Sequence, residues 1–195
     1  ESALRQSTLV DRGVDRRADL LHQLGRLVGS DAQQVAAGDQ SEHGLLRDLV
    51  IRDVASLQAL LMETPAEDLT RAAAILEKAE AIYLVGQLRS APVVDLLRYV
   101  LTMLGKRCIL LDPSGGLATH MARTIGPRDA LVAVSFRFYA TEVVNIVEDV
   151  AARGIPIVAM SDSTLSPLAK AASVLFAVPE HEYTFSRSLA APMCR

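Results

Sequence analysis

The sequence predicts an α/β protein, a three-layer sandwich around a five-stranded parallel sheet preceded by an α-helical segment. Three observations carry this. From about Ala81 onward, five short runs of continuous apolar residues recur, as expected of strands covered on both faces. Amphipathic stretches of helical length separate them, and this alternation is the pattern of crossover helices on a parallel sheet. Gly105, Gly126 and Gly154 each stand just past a helical stretch, where a left-handed cap costs other residues most.

The elements follow in order. Residues 1–40 carry scattered arginines, aspartates and glycines and read as a lead-in with a helical patch over 19–28. Over residues 43–62, Leu46, Leu49, Val50, Val54, Leu57, Leu60 and Leu61 recur at three- and four-residue steps and share one helical face. Thr64, Pro65 and Glu67 spell a helix start, with a threonine cap, a proline at the first helical position and a glutamate three residues after the cap. A second helix is expected over 65–78. Strands are expected over 82–85, 108–111, 130–134, 157–160 and 174–178, and helices over 90–104, 117–124, 141–153 and 166–172. In domain terms this gives a lead-in over 1–40, a helical linker over 41–79 and an α/β domain over 80–195.

Composition removes several function classes. The 195 residues carry a net charge of −3, so no positive field draws polyanions to this chain. Two cysteines, Cys108 and Cys194, supply neither a disulfide framework nor metal-ligand spacing, which points to a reducing, cytoplasmic setting. The four histidines are too dispersed for a metal set, and no metal or cofactor is expected. Apolar runs such as 130–134 and 174–178 fall far short of the roughly 20 residues that span a bilayer, and no secretory leader opens the chain. The chain opens on Glu1 and stops at Arg195 within a helical stretch, so a fragment of a longer protein is expected.

Ligands of an open parallel sheet bind beyond the carboxyl ends of its strands, where helix N-termini present free amides. Three loops qualify: residues 86–90 after the first strand, 135–142 after the third and 161–167 after the fourth. They supply the candidate ligand-binding residues Gly86, Arg89, Ser90, Ser135, Arg137, Thr141, Ser161, Asp162 and Ser163. Arg89 and Arg137 suit a two-point grip on a phosphate or carboxylate. Ser90, Thr141 and Ser166 read equally well as helix caps, and Asp162 as a turn former. The Gly115-Gly116 pair reads as a turn. Of the candidates for proton transfer, Glu142 opens a helix, where the dipole alone favours a carboxylate, and His181 with Glu182 reads as surface loop. No catalytic residue is assigned. A dinucleotide site is disfavoured because the first loop has one glycine where the fingerprint needs three.

Several segments together resemble a known family. They are Gly86 with Arg89-Ser90, Leu104-Gly105-Lys106, Val134-Ser135-Phe136-Arg137 with Tyr139 and Glu142, and Ala159-Met160-Ser161-Asp162-Ser163 with Leu165-Ser166-Pro167-Leu168-Ala169. Over the last three-fifths of the chain these are similar to the sugar isomerase (SIS) domain of MurR/RpiR-type bacterial transcriptional regulators. The resemblance implies an SIS-type sandwich that binds a phosphorylated sugar or related metabolite and forms a homodimer or higher homo-oligomer. It also implies that the domain controls DNA binding by a helix-turn-helix domain upstream, which residues 1–40 do not complete. An aldose–ketose phosphosugar isomerase is the alternative.

The family pattern is broken at four places. Leu88 stands where many SIS domains carry a second glycine. In the Ser-x-Ser-Gly-x-Thr loop, Ser135 is kept, but Arg137, Phe138 and Ala140 replace the second serine, the glycine and the threonine. Either the arginines serve as anion ligands in place of the lost hydroxyls or the effector is not a sugar phosphate, and an anionic ligand held by Arg89, Ser90, Ser135 and Arg137 is expected.

Overall fold

The computed structural model describes residues 42–178. The expected lead-in over 1–40 and the His181–Glu182 pair lie outside the described residues. The chain divides into two compact units between Ala55 and Ser56, and the site belongs to the second.

Helix α1 (Glu42–Glu63) ends on Thr64, and α2 (Ala66–Lys78) follows. The expected threonine cap is not made. Pro65 occupies the N-cap position without a side-chain bond, while the Thr64 hydroxyl donates back to the Leu60 carbonyl and closes the last turn of α1. The boundary therefore moves by one residue, and the proline still starts the helix, since it has no amide to leave orphaned.

The sheet holds β1 (Ile82–Gly86), β2 (Cys108–Leu110), β3 (Ala130–Val134), β4 (Ile157–Ser161) and β5 (Val174–Ala177). All pairings are parallel, in the order β2-β1-β3-β4-β5. Helices α3 (Ala91–Met103), α4 (Leu117–Ala122) and α5 (Thr141–Ala152) lie in the crossovers.

Alternation along the strands sorts the core into two layers. Tyr83, Val85, Leu131, Ala133, Ile157 and Ala159 face Ala118 and Ala122 of α4 and Val143, Ile146, Val147 and Val150 of α5. Ile82, Leu84, Val132, Val134, Val158 and Met160 face the other way, with Val93 and Val94 of α3, Ala72 of α2 and Leu60 at the end of α1. Both faces are covered, which is why the strands read as unbroken apolar runs rather than as an alternating pattern. The stabilisation from this burial scales with area, at about 25 cal/mol per Å² of apolar surface.

Two expectations fail locally. The stretch 166–172 is a chain of turns, not a helix, with bonds from Ala169 N–H to Ser166 C=O and from Ala171 and Ala172 N–H to Leu168 C=O. Ser163 Oγ accepts from the Leu165 amide, and Ser166 N–H donates to Ser163 C=O. These local bonds and Pro167 compete with a helical nucleus, which is costly in so short a segment. Gly126 is not left-handed, in contrast to Gly105 and Gly154. Its amide donates instead to Asp129 Oδ2 at 2.8 Å, and the other oxygen of Asp129 accepts the Ala81 amide at 3.1 Å.

Candidate functional site

A sheet with this strand order has one place where consecutive crossovers leave in opposite directions, between β1 and β3, and a crevice opens there beyond the carboxyl ends of the strands. β1 and β3 are paired to the last residue, Gly86 opposite Val134, so their exit loops start at the same height. A cleft of about 140 Å³ lies between these loops, lined by Gln87, Leu88, Arg89 and Ser90 from one and by Ser135, Phe136, Arg137, Phe138 and Ala140 from the other.

Gly86 makes the first wall possible. A Cβ there would stand 2.9 Å from Val94 Cγ1, 3.2 Å from the Ser90 carbonyl and 3.3 Å from Ser90 Cβ. The chain turns sharply over the strand end into the Leu88–Ser90 3₁₀ turn and brings Ser90 back against the sheet, where it is buried. Ser90 stands at the N-cap position of α3 without making a side-chain cap bond. α5 is entered from Ala140, also without one, and Thr141 is its exposed first residue. Ser166 starts no helix. The capping interpretation therefore fails for all three hydroxyls.

The described lining carries two cations, Arg89 and Arg137. The guanidinium nitrogens of Arg89 are shut off from solvent, and its Cζ lies 4.7 Å from the centroid of the Phe136 ring. Arg137 lies on the exposed side of the cleft with its Cζ 5.7 Å from the Phe138 centroid. Stacking on aromatic faces orients both cations while leaving the in-plane N–H groups directional. Among the described lining residues none is a carboxylate. Glu142, in the first turn of α5, accepts from the Gln87 amide through one oxygen and from Thr119 Oγ1 at 3.2 Å through the other. It thereby ties Gln87 to α4 and α5.

Of the nine candidates, the structure gathers Arg89, Ser90, Ser135 and Arg137 in the cleft wall, with Gly86 at its root. Thr141, Ser161, Asp162 and Ser163 are not in that wall. The Ser161 hydroxyl is buried and donates to the Ser135 carbonyl at 2.8 Å, which braces the loop from beneath. Asp162 Oδ1 accepts from Tyr139 Oη at 2.9 Å and joins the β4 loop to the β3 loop. Burial and this carboxylate both push the Tyr139 phenol above its ordinary range. Ser163 supports its own turn.

Residue reasoning missed Gln87, Leu88, Phe136, Phe138 and Ala140 as lining residues. The available signal was the break in the glycine pattern. Leu88 (φ 55°) and Phe138 (φ 70°) are the two non-glycine residues at positive φ among the described residues, and they occupy the two positions where glycine was expected. The backbone there is left-handed, as glycine would allow, yet it carries side chains.

A family model described as the SIS domain matches residues 75–194. The sugar isomerase domain of an RpiR transcription factor from Sphaerobacter thermophilus is similar at 27% identity and a TM-score of 0.74, over 77% of this chain and 84% of that one. The Vibrio vulnificus NanR protein complexed with ManNAc-6P is similar at 25% identity and a TM-score of 0.62, over 69% of this chain and 51% of that one. A Methanococcus jannaschii protein with an inferred function of 3-hexulose-6-phosphate isomerase shares the fold at 15% identity and a TM-score of 0.58, over 74% of this chain and 78% of that one. No curated protein matches the sequence. With most of the α/β unit inside the family match and the same architecture in these structures, the chain belongs to the SIS domain family.

Proposed function

We propose that this chain is the effector-sensing and dimerising part of a cytoplasmic transcriptional regulator of the RpiR type. It binds a phosphorylated sugar or another small anionic metabolite and so controls DNA binding by a helix-turn-helix domain upstream. The observation that carries the reading is the convergence of Arg89, Arg137, Ser90 and Ser135 on one cleft at the strand-order reversal. Two arginines in one lining, Arg137 with its side chain exposed, favour an anion, and two buried serines add hydroxyls to the same lining. The likeness to an RpiR SIS domain and to a regulator complexed with a sugar phosphate supports the ligand class.

Ser161 and Asp162 enter this reading as residues that hold the loops around the ligand, Ser163 as a support of its own turn, and Thr141 as the exposed start of α5. A second copy of the chain is the expected protein partner, and a monomeric native mass would remove it. Glu142 lies outside the cleft wall with both oxygens engaged by neutral donors. That supports sensing over isomerisation, and steady turnover of a hexose phosphate by the purified protein would reverse this preference.

The test is calorimetric titration of the chain with hexose 6-phosphates. Arg137→Ala is expected to weaken binding by about an order of magnitude or more, the worth of one charge-assisted contact. An affinity unchanged by the substitution would refute the anion site.

A further inference from the structure

We propose that the anion taken by this cleft carries an apolar body, an aryl, alkyl or acyl group, and that Leu88 and Phe138 select it. The proposal rests on the anion reading above and narrows the ligand class beyond a bare polyol phosphate.

The two residues stand in equivalent places. Each follows its strand by two to four residues, each lies beside an arginine of the same loop, and each lines the same cleft. Both hold a left-handed backbone that disfavours side chains, with φ of 55° and 70°. Neither side chain is repaid by burial, since Leu88 is 79% and Phe138 84% exposed. Backbone strain and exposed apolar area are therefore borne at the same two positions, where glycine would escape both. Strain of this kind gathers where a ligand is gripped.

The polar inventory of the cleft points the same way. Among the described lining residues, the side chains besides the two arginines able to satisfy hydroxyls are Ser90, Ser135 and Gln87, and Gln87 is engaged with Glu142. A hexose body brings several hydroxyls, each costly to enclose without a partner. An apolar body asks for none and would cover Leu88, Phe138 and Ala140 while its anionic end meets the exposed Arg137 guanidinium. The cleft volume of about 140 Å³ is on the scale of one benzene-sized body.

The experiment is isothermal titration of the full chain with phenyl phosphate, inorganic phosphate and glucose 6-phosphate, repeated on Leu88→Gly/Phe138→Gly and on Arg137→Ala. Glycine suits both backbone conformations, so the double variant keeps the loops, and a thermal melt checks this. Phenyl phosphate is expected to bind about tenfold or more tightly than inorganic phosphate, from burial of its ring. The double glycine variant is expected to lower that ratio at least about fivefold, and Arg137→Ala to weaken both ligands. Equal affinity for the two phosphates, or a ratio unmoved by the glycines, would overturn the apolar selection. Tighter binding of glucose 6-phosphate than of phenyl phosphate would do the same and leave the anion site standing. Binding of none of the three probes would overturn the anion site itself.

Discussion

Ser161 and Ser166 are both buried, and their hydroxyls have opposite fates. Ser161 Oγ donates to the Ser135 carbonyl at 2.8 Å, whereas Ser166 Oγ has no hydrogen-bond partner. The asymmetry between removing a made bond and removing an unmade one sets the expected outcomes. Ser161→Ala leaves a buried carbonyl unsatisfied and is expected to destabilise by about 1–3 kcal/mol, while Ser166→Ala removes an uncompensated group and is expected to be neutral or stabilising. Urea unfolding of the two variants measures this, and equal losses would contradict it. Ser161→Ala also unbraces the loop that carries Ser135 and Arg137, so its ligand affinity is expected to fall together with its stability. At this scale the sequence revealed the chemistry better than the conformation. Arg89, Ser90, Ser135 and Arg137 were identifiable because position after a strand aims a residue at the sheet edge. Leu88 and Phe138 were visible only as lost glycines, since their importance lies in a backbone state costing roughly 1–2 kcal/mol per residue.

Among the elements, strands were the most legible. Ile82–Gly86, Ala130–Val134 and Ile157–Ser161 are buried at every position, which leaves a continuous apolar run in the sequence. Strand order was not legible, because five equally apolar strands carry no mark of their neighbours, and order decides which loops meet. Placing β1 beside β3 joins the 86–90 and 135–142 loops in the cleft and leaves the 161–167 loop to support it from the side. The Tyr139–Asp162 bond links those last two loops, and its contribution depends on pH. Because the phenol is raised above its ordinary value near 10, first by burial and then by the Asp162 bond, the folded state holds that proton more tightly than the unfolded chain. The stabilisation is therefore fully present below the unfolded value and is lost as pH rises through the folded one. Relative to Tyr139→Phe, the wild-type chain is expected to be more stable by about 1 kcal/mol at neutral pH, a modest figure because the pair is only partly buried. The advantage is expected to shrink above about pH 10, where the phenolate faces a carboxylate. Urea midpoints for both proteins across alkaline pH test this, and a constant difference would remove the bond from the account.

For the whole molecule, the cleft and the fold share one set of supports, so ligand binding and stability are linked. Gly86 fixes the path from β1 into α3, Ser161 ties the end of β4 to the β3 loop, and Glu142 ties α5 to Gln87 and α4. A ligand held in the cleft between the two exit loops would add one more connection across the ends of two adjacent strands, and this connection has no counterpart in the unfolded chain. At a hundredfold excess over its dissociation constant, such a ligand stabilises the native state by about 2.7 kcal/mol, which for a unit of this size raises the melting temperature by several degrees. We expect that rise with phenyl phosphate or a hexose 6-phosphate, whichever binds. In Arg137→Ala the dissociation constant is about tenfold larger, so the same ligand concentration yields about 1.4 kcal/mol and roughly half the rise. Thermal unfolding followed by circular dichroism at fixed ligand concentration measures both. A full rise in the arginine variant would place the ligand elsewhere on the molecule, and no rise in either protein would mean that the cleft does not bind these anions.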